Sequence, residues 1–374
     1  MNIYEELGVR TLVNASGTLT RNGGSVMAQE VLAAMAEAAQ HFCLVDELQA
    51  AVGKRIATML KVPAAYVCAS ASSGLVLTAA ACMAGADPER VAQLPNTAGM
   101  RHEILVQSNH RIPYDQALRL AGATLVEISD DGTPPVAAMT AAINERTAAI
   151  FYLAIAMNDP NSIPLDQTIA LAHEHGIPVI IDAASECPPM STLTRFCDMG
   201  ADLVIFSGGK SIAGPQSSGM IVGRPDLIEA CAANGCPFAG VGRPMKISRE
   251  EIVAFMKALE LYLSRDHEAD LRRWEAQIRH IGEAISDLPH IEVSRYAKGE
   301  TYQVPMLRVE YPPEFNVGNQ AILDALLDHD PPISVRALPG SAGAIIINPH
   351  NLAPGQEEIV AAGCREVLGR LVSE

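Results

Sequence analysis

ADLVIFSGGKSIAGPQSSGMIVG, residues 201–223, opens on an apolar run, Asp202 to Phe206, that reads as a buried strand. Ser207, two glycines and Lys210 follow. After a string of small residues, Met220-Ile221-Val222 returns as a second strand. Glycine lets a backbone approach a bound group closely. A lysine directly behind a buried strand and a Gly-Gly turn is poorly placed for simple solvation. Lysine is also the side chain that forms a Schiff base with an aldehyde cofactor. The competing reading is a surface lysine on a strand-to-strand loop.

Upstream, Pro178-Val179-Ile180-Ile181-Asp182 is an apolar strand that ends in a carboxylate, 28 residues before Lys210. In parallel α/β sheets, ligands sit at the carboxyl ends of strands, so Asp182 and Lys210 both fall where a ligand would be. Pyridoxal phosphate needs such a pair: a lysine to hold its aldehyde and an acid to keep its ring nitrogen protonated. An aspartate at a strand end is otherwise a cap or turn residue. Further upstream, Ala64–Ala69 reads as a strand, followed by Ser70-Ala71-Ser72-Ser73-Gly74 and the apolar helix Leu75–Gly85. A small-residue turn that opens a helix presents backbone N–H groups to an anion such as a cofactor phosphate. An ordinary serine N-cap gives the same pattern.

The rest of the chain frames these three places. Residues 1–25 are rich in Gly, Ser, Thr and Asn and read as an ordered loop or a flexible arm. Val26–Leu60 is helical in pattern, with a break near His41–Leu44. Asp87–His102 shows no regular period. Strands are expected at Glu103–Gln107, Thr124–Ile128 and Ala148–Leu153, with helices at Tyr114–Leu120, Val136–Asn144 and Asp166–His175. This alternation predicts an α/β fold with a mostly parallel sheet covered on both faces. His110, at the end of the Glu103–Gln107 strand, could stack on a flat ring or be a solvated loop residue. His173-Glu174-His175 lie adjacent along a helix and share no face, so no metal site is expected; a solvated helix end is the reading. Ser248 with Glu251 makes a capping box that opens one long helix, Ser248–Leu288, expected to bridge two lobes. Beyond it, strands Ile291–Ser294, Gln303–Val309, Ile333–Arg336 and Ala344–Ile347 alternate with helices Gly318–Leu327 and Gln356–Leu371 as a small α+β domain. The domains expected are thus an N-terminal segment 1–25 lining the site, a large domain 26–250, and 251–374.

Composition narrows the classes. The 374-residue chain is 49% apolar and carries a formal net charge of −16. That charge argues against sequence-independent nucleic-acid binding, which needs clustered Lys and Arg. No long uncharged apolar run predicts a membrane span, and MNIYEELGVR is not a signal peptide. Eight scattered cysteines without a C-x-x-C read as free thiols of a cytoplasmic protein.

LVNASGTLT at Leu12–Thr20, IIDAASE at Ile180–Glu186 and SGGKSIAGPQSSG at Ser207–Gly219 resemble the fold-type-I pyridoxal-phosphate enzymes. GRPMKISREEI at Gly242–Ile252 and INPHNL at Ile347–Leu352 narrow the resemblance to the selenocysteine synthase-like branch, which includes D-glucosaminate-type ammonia-lyases. It implies a large domain with a seven-stranded-type sheet and pyridoxal 5′-phosphate as cofactor. Lys210 would hold the cofactor and act in catalysis with Asp182 and His110, the latter where this fold usually places a ring-stacking side chain. Ser72, Ser73 and Gly74 fall on the phosphate-binding turn, and Ser207 and Gly209 flank the lysine. Arg243, Lys246, Arg336 and Thr18 are candidates for substrate or a neighbouring subunit, since such enzymes build sites across a homodimer or a larger assembly. The early NASGT segment and the acidic charge set selenium transfer on seryl-tRNA aside. The reading that results is β-elimination from a small hydroxylated or sugar-derived amino acid, giving a 2-keto acid and ammonia. Racemisation or epimerisation, retro-aldol cleavage and a non-catalytic scaffold are the alternatives.

Overall fold

Seven strands between Ala64 and Gly223 form the main sheet of the computed structural model, which describes residues 2–128, 135–312 and 318–371. They are β1 (Ala64–Cys68), β2 (Glu103–Gln107), β3 (Thr124–Ile128), β4 (Thr147–Leu153), β5 (Val179–Asp182), β6 (Leu203–Ser207) and β7 (Gly219–Gly223). Their spatial order is β1-β7-β6-β5-β4-β2-β3. β2 to β6 pair in parallel, while β7 runs antiparallel to both β6 and β1. β1 therefore points the same way as β2 to β6, and the carboxyl ends of all six lie on one edge.

The central strands read as unbroken apolar runs because both faces are covered. Every residue of β4 and β5 is buried. Period-2 alternation then sends neighbours to opposite cores. Ile150, Tyr152, Ile181, Val204 and Phe206 enter one; Ala149, Phe151, Ile180, Leu203 and Ile205 enter the other. The helix Ala71–Ala84, which directly follows β1, is buried without a break from Ser73 to Ala81.

The chain divides into two compact units, Met27–Ser264 and Met1–Val26 with Arg265–Glu374. The single helix expected over Ser248–Leu288 is two, Arg249–Ser264 and His267–Ile285. Asp266 explains the break: its side chain accepts the N–H of Ala269 at 2.9 Å, capping a new helix in place of continuing the old one. The boundary falls at that cap, and residues 1–26 group with the C-terminal part. There Val13–Asn14 pairs in parallel with Ile333–Ser334, so the N-terminal segment is ordered. Arg336–Ala337 belongs to a different, four-stranded antiparallel sheet with Ala344–Ile347, Met306–Glu310 and Glu292–Tyr296, so the strand expected over Ile333–Arg336 splits between two sheets.

Three further expectations change. Asp87–His102 contains a short helix, Pro88–Gln93, capped by Asp87. Thr192–Asp198 is a helix that the sequence pattern did not announce. His173 is not a bare helix end: its Nε2 lies 3.0 Å from the buried Asp202, which also accepts from Val179 N–H and Arg224. No helix among the described residues is long and apolar enough to cross a membrane.

Candidate active site

Asp182 is the last residue of β5, in register with Leu153 of β4 and Ile205 of β6. It is 7% exposed, and its Oδ1 accepts the N–H of Ala184 at 3.0 Å. Lys210 follows β6 by three residues. The loop that carries it is folded tightly on itself. Gly208 N–H donates to Ser218 O at 2.8 Å, Gly214 N–H to Gly208 O at 2.9 Å, and Ala213 N–H to Lys210 O at 2.9 Å. A Cβ at Gly209 would stand 2.6 Å from the Cα of Gln216, so any side chain there must move backbone. What crowds this glycine is the chain's own return.

Lys210, half-buried, and Asp182, buried, are coupled electrostatically. Burial pushes the Lys210 ammonium down from its usual range, while Asp182 and then Glu186 pull it back up. Burial pushes the Asp182 carboxyl up; the Ala184 amide and Lys210 oppose this, and Glu186 adds to it. Glu186 was not anticipated. It is 2% exposed, accepts the Ser185 hydroxyl at 2.8 Å, and lines a narrow recess with Lys210, Ser207 and Ser211. No spacing marks it in the sequence, since it lies in an irregular loop four residues past a strand end.

At the edge formed by β1, the turn into helix Ala71–Ala84 is a closed capping box. Ser73 N–H donates to Ser70 Oγ at 3.0 Å and Ser70 N–H to Ser73 Oγ at 2.8 Å. Gly74 N–H bonds Ser70 O at 2.9 Å. Ser73 and Gly74 thus serve the helix start through their bonds to Ser70. Gly74 serves packing: a Cβ there would meet Ile205 Cγ2 at 2.8 Å. Ser72 is exposed, and the N–H groups of Ala71 and Ser72 belong to the first turn, where a helix has no acceptor of its own for them. Gly219, the first residue of β7, lies against this turn; a Cβ on it would be 2.9 Å from Ser70 C.

His110 also departs from expectation. It is fully buried, so no ring face is open for stacking. Leu153 N–H donates to its Nδ1 at 3.2 Å, which places the proton on Nε2, 2.9 Å from Ser162 Oγ. Tyr152 packs on it edge-on, ring centroids 4.4 Å apart. Burial pushes its pKa down to about 4, so it is neutral at pH 7. His110 ties the end of β2 to β4 and to the 156–163 loop. Beside it Asn109, half-buried, donates to Asp159 Oδ2 at 3.0 Å and Ser162 Oγ at 2.8 Å. This gives the Met157–Asn161 segment a role in shaping the strand ends.

Arg243 and Lys246 are exposed in the large unit, on the loop that enters helix Arg249–Ser264. Thr18 and Arg336 are in the other unit. Thr18 is half-buried next to Gly17, whose carbonyl accepts from Asn14 and Asn351. Arg336 has its Nε buried without a hydrogen bond among the described residues. That unit also holds an open groove of about 290 Å³ lined by Glu275, Arg279, Glu283 and Arg295, with no catalytic set among them. No group of three His, Cys, Asp or Glu side chains among the described residues is placed to hold a metal.

The donor set fits pyridoxal phosphate at three points: a buried amine, a buried acid on the neighbouring strand end, and an open helix turn for an anion. It does not supply a stacking ring at His110. The aminotransferase class-V family model matches residues 101–355. Over 98% of its length the chain is 30% identical to 5′-C-glycyluridine monooxygenase-decarboxylase of a Streptomyces species, covering 92% of that protein. It is likewise 30% identical to D-glucosaminate-6-phosphate ammonia lyase of Salmonella typhimurium, covering 98% of each chain. A solved structure of D-glucosaminate-6-phosphate ammonia-lyase superposes with a TM-score of 0.84 over 100% of this chain and 99% of that one, at 28% identity.

Proposed function

This chain belongs to the aminotransferase class-V family, whose cofactor is pyridoxal 5′-phosphate, and on that premise we propose that it is an ammonia-lyase acting on an amino sugar acid. Lys210 would hold the cofactor aldehyde, Asp182 would serve its ring nitrogen, and Ser72 with the Ala71 and Ser72 N–H groups would receive its phosphate. When bound, the cofactor supplies an electrophilic aldehyde and a ring that accepts the electrons of the Cα–H bond. With the substrate amine bound to it in place of Lys210, the lysine would be free to act. The freed amine would then be placed to take the Cα proton, and burial lowers its proton affinity from the ordinary lysine range. As ammonium, Lys210 returns that proton to the departing β-hydroxyl, which leaves as water. The released unsaturated amine hydrolyses to a 2-keto acid and ammonia.

The observation that carries this reading is the electrostatic coupling of half-buried Lys210 with buried Asp182 past neighbouring strand ends, in a chain aligned end to end with an ammonia lyase. Arg336, with its orphaned Nε, suits an anionic group. Arg243 and Lys246, exposed on one chain, are offered to a neighbouring copy in a cytoplasmic homo-oligomer. Light scattering tests the assembly.

The activity test is incubation of the loaded protein with D-glucosaminate and its 6-phosphate, without oxygen, scoring ammonia and a 2-keto-3-deoxy acid. Their absence with both substrates overturns the reading. The equal identity to a monooxygenase-decarboxylase supports a second one: oxidative decarboxylation, which would consume oxygen and release CO2 in the same assay run in air. Inverted amino acid, or an aldehyde from Cα–Cβ cleavage, would instead mark racemisation or retro-aldol chemistry.

A further inference from the structure

Glu186 has no part in the chemistry above, yet it is the second carboxylate at the catalytic lysine. Its side chain and Lys210 border one recess, and it sits on the irregular turn that Asp182 begins. The turn is fixed at several points. Ala183 N–H donates to Ile205 O at 3.0 Å, Glu186 N–H to Ala183 O at 3.2 Å, and the Ser211 hydroxyl to Cys187 O. The Ser185 hydroxyl donates to Glu186 Oε1 at 2.8 Å. A buried carboxylate held this firmly beside an amine is an expensive arrangement unless the charge is used.

We infer that Glu186 is the counter-charge of the catalytic lysine: it stabilises the ammonium that Lys210 becomes on taking the Cα proton, and so sets how strong a base Lys210 is. Glu186 is a positioning residue, acting through Lys210. The proton passes from Cα to Nζ and then to the leaving oxygen; Glu186 gains and loses none. In the reading above Asp182 would serve the ring nitrogen, which leaves Glu186 as the other carboxylate bordering the recess that Lys210 lines. The charged and titratable groups around the pair are Asp182 at the end of β5, Glu186 and Cys187 on the turn, and Tyr262 of helix Arg249–Ser264, which bonds Cys187. The inference rests on Lys210 being the base in the reading above.

The sign is fixed by charge: removing a neighbouring anion lets Lys210 lose its proton at lower pH. The full-length chain, stripped of cofactor, is labelled with an amine-reactive reagent across a pH series, and the Lys210 peptide is quantified by mass spectrometry. Glu186→Gln is expected to move the midpoint of Lys210 labelling down by about one pH unit or more, the scale of one opposite charge a few ångströms away. Glu186→Asp, which keeps the charge and withdraws it by one methylene, is expected to move it less in the same direction. The visible absorption of the loaded protein, titrated over pH, should shift alike while the melting temperature holds. An unmoved Lys210 midpoint in Glu186→Gln, or in Glu186→Asp should the glutamine variant not fold, overturns the proposal. Labelling does not depend on which products form, so a failed product assay with a shifted midpoint sinks the elimination reading and leaves this one standing.

Discussion

At single side chains, the site divides into residues announced by local pattern and residues defined only by tertiary surroundings. Asp182 stands out in the sequence because it ends an apolar run, and Lys210 because it follows another by three residues, since strand ends of a parallel sheet share one edge. Lys210→Ala is expected to abolish the visible absorption of the loaded protein and its turnover. Asp182→Asn should keep the absorption but cut kcat by roughly 10²–10⁴, the range seen when one ionic partner of a proton transfer is lost; a stopped-flow assay with the substrate panel checks both. His110 was not legible as a structural residue, because nothing in Ser108-Asn109-His110-Arg111 tells that Leu153 and Ser162 will take both its nitrogens. Its stability effect follows from its pKa, pushed down to about 4 in the fold against about 6.5 in an unfolded chain. The unfolded chain takes up the proton first. The contribution is therefore whole above pH 6.5 and is lost as pH falls toward 4, by at most roughly 3 kcal/mol at about 1.4 kcal/mol per unit. His110→Gln should flatten the fall in denaturant midpoint over that window relative to the parent.

Strands and helices were largely written in hydrophobic period, and their ends in capping chemistry. β4 and β5 are readable as apolar runs; the break at Asp266 is not, because the helical period carries straight across it and only the aspartate's bond to Ala269 ends it. The turn after β1 shows the opposite limit. Its serines were readable as a cap or as an anion site, and Ser73 proves committed to the cap. Ser70→Ala removes the half of that box in which Ser70 Oγ accepts Ser73 N–H and should cost about 1 kcal/mol, measured by urea unfolding, with weaker cofactor retention. At Gly209 the added methyl meets backbone, not a movable side chain. Gly209→Ala is expected to displace the Lys210 loop and lower cofactor uptake more than it lowers thermal stability. Equal loss of both would show the loop to be part of the global fold.

For the molecule entire, the division of labour is between a large unit that carries the strand-end chemistry and a smaller one built from both chain termini. The sequence showed two regions but not that residues 1–26 belong with the last third, since the parallel pairing of Val13 with Ile333 spans 320 residues and leaves no local mark. On the proposed reading the cofactor would bind the folded chain and not the unfolded one, so its removal should lower the melting transition. At a free cofactor concentration of about 100 times Kd the stabilisation is roughly 2.7 kcal/mol. Calorimetry of loaded and stripped protein checks this, and an unchanged transition would mean the cofactor binds loosely or elsewhere.

The antiparallel strand β7 has a consequence for biosynthesis. β1 is an edge strand whose sheet neighbour is β7, with Cys68 opposite Gly219. At about 5–20 residues per second, a ribosome exposes β1 for roughly 8 to 30 seconds before that neighbour is even translated. The nascent chain must therefore carry an unpaired apolar ribbon while about 150 of its 374 residues are added. A chaperone that shields such edges is the helper this polypeptide calls for, and stalled translation before Gly219 is the moment at which it would aggregate.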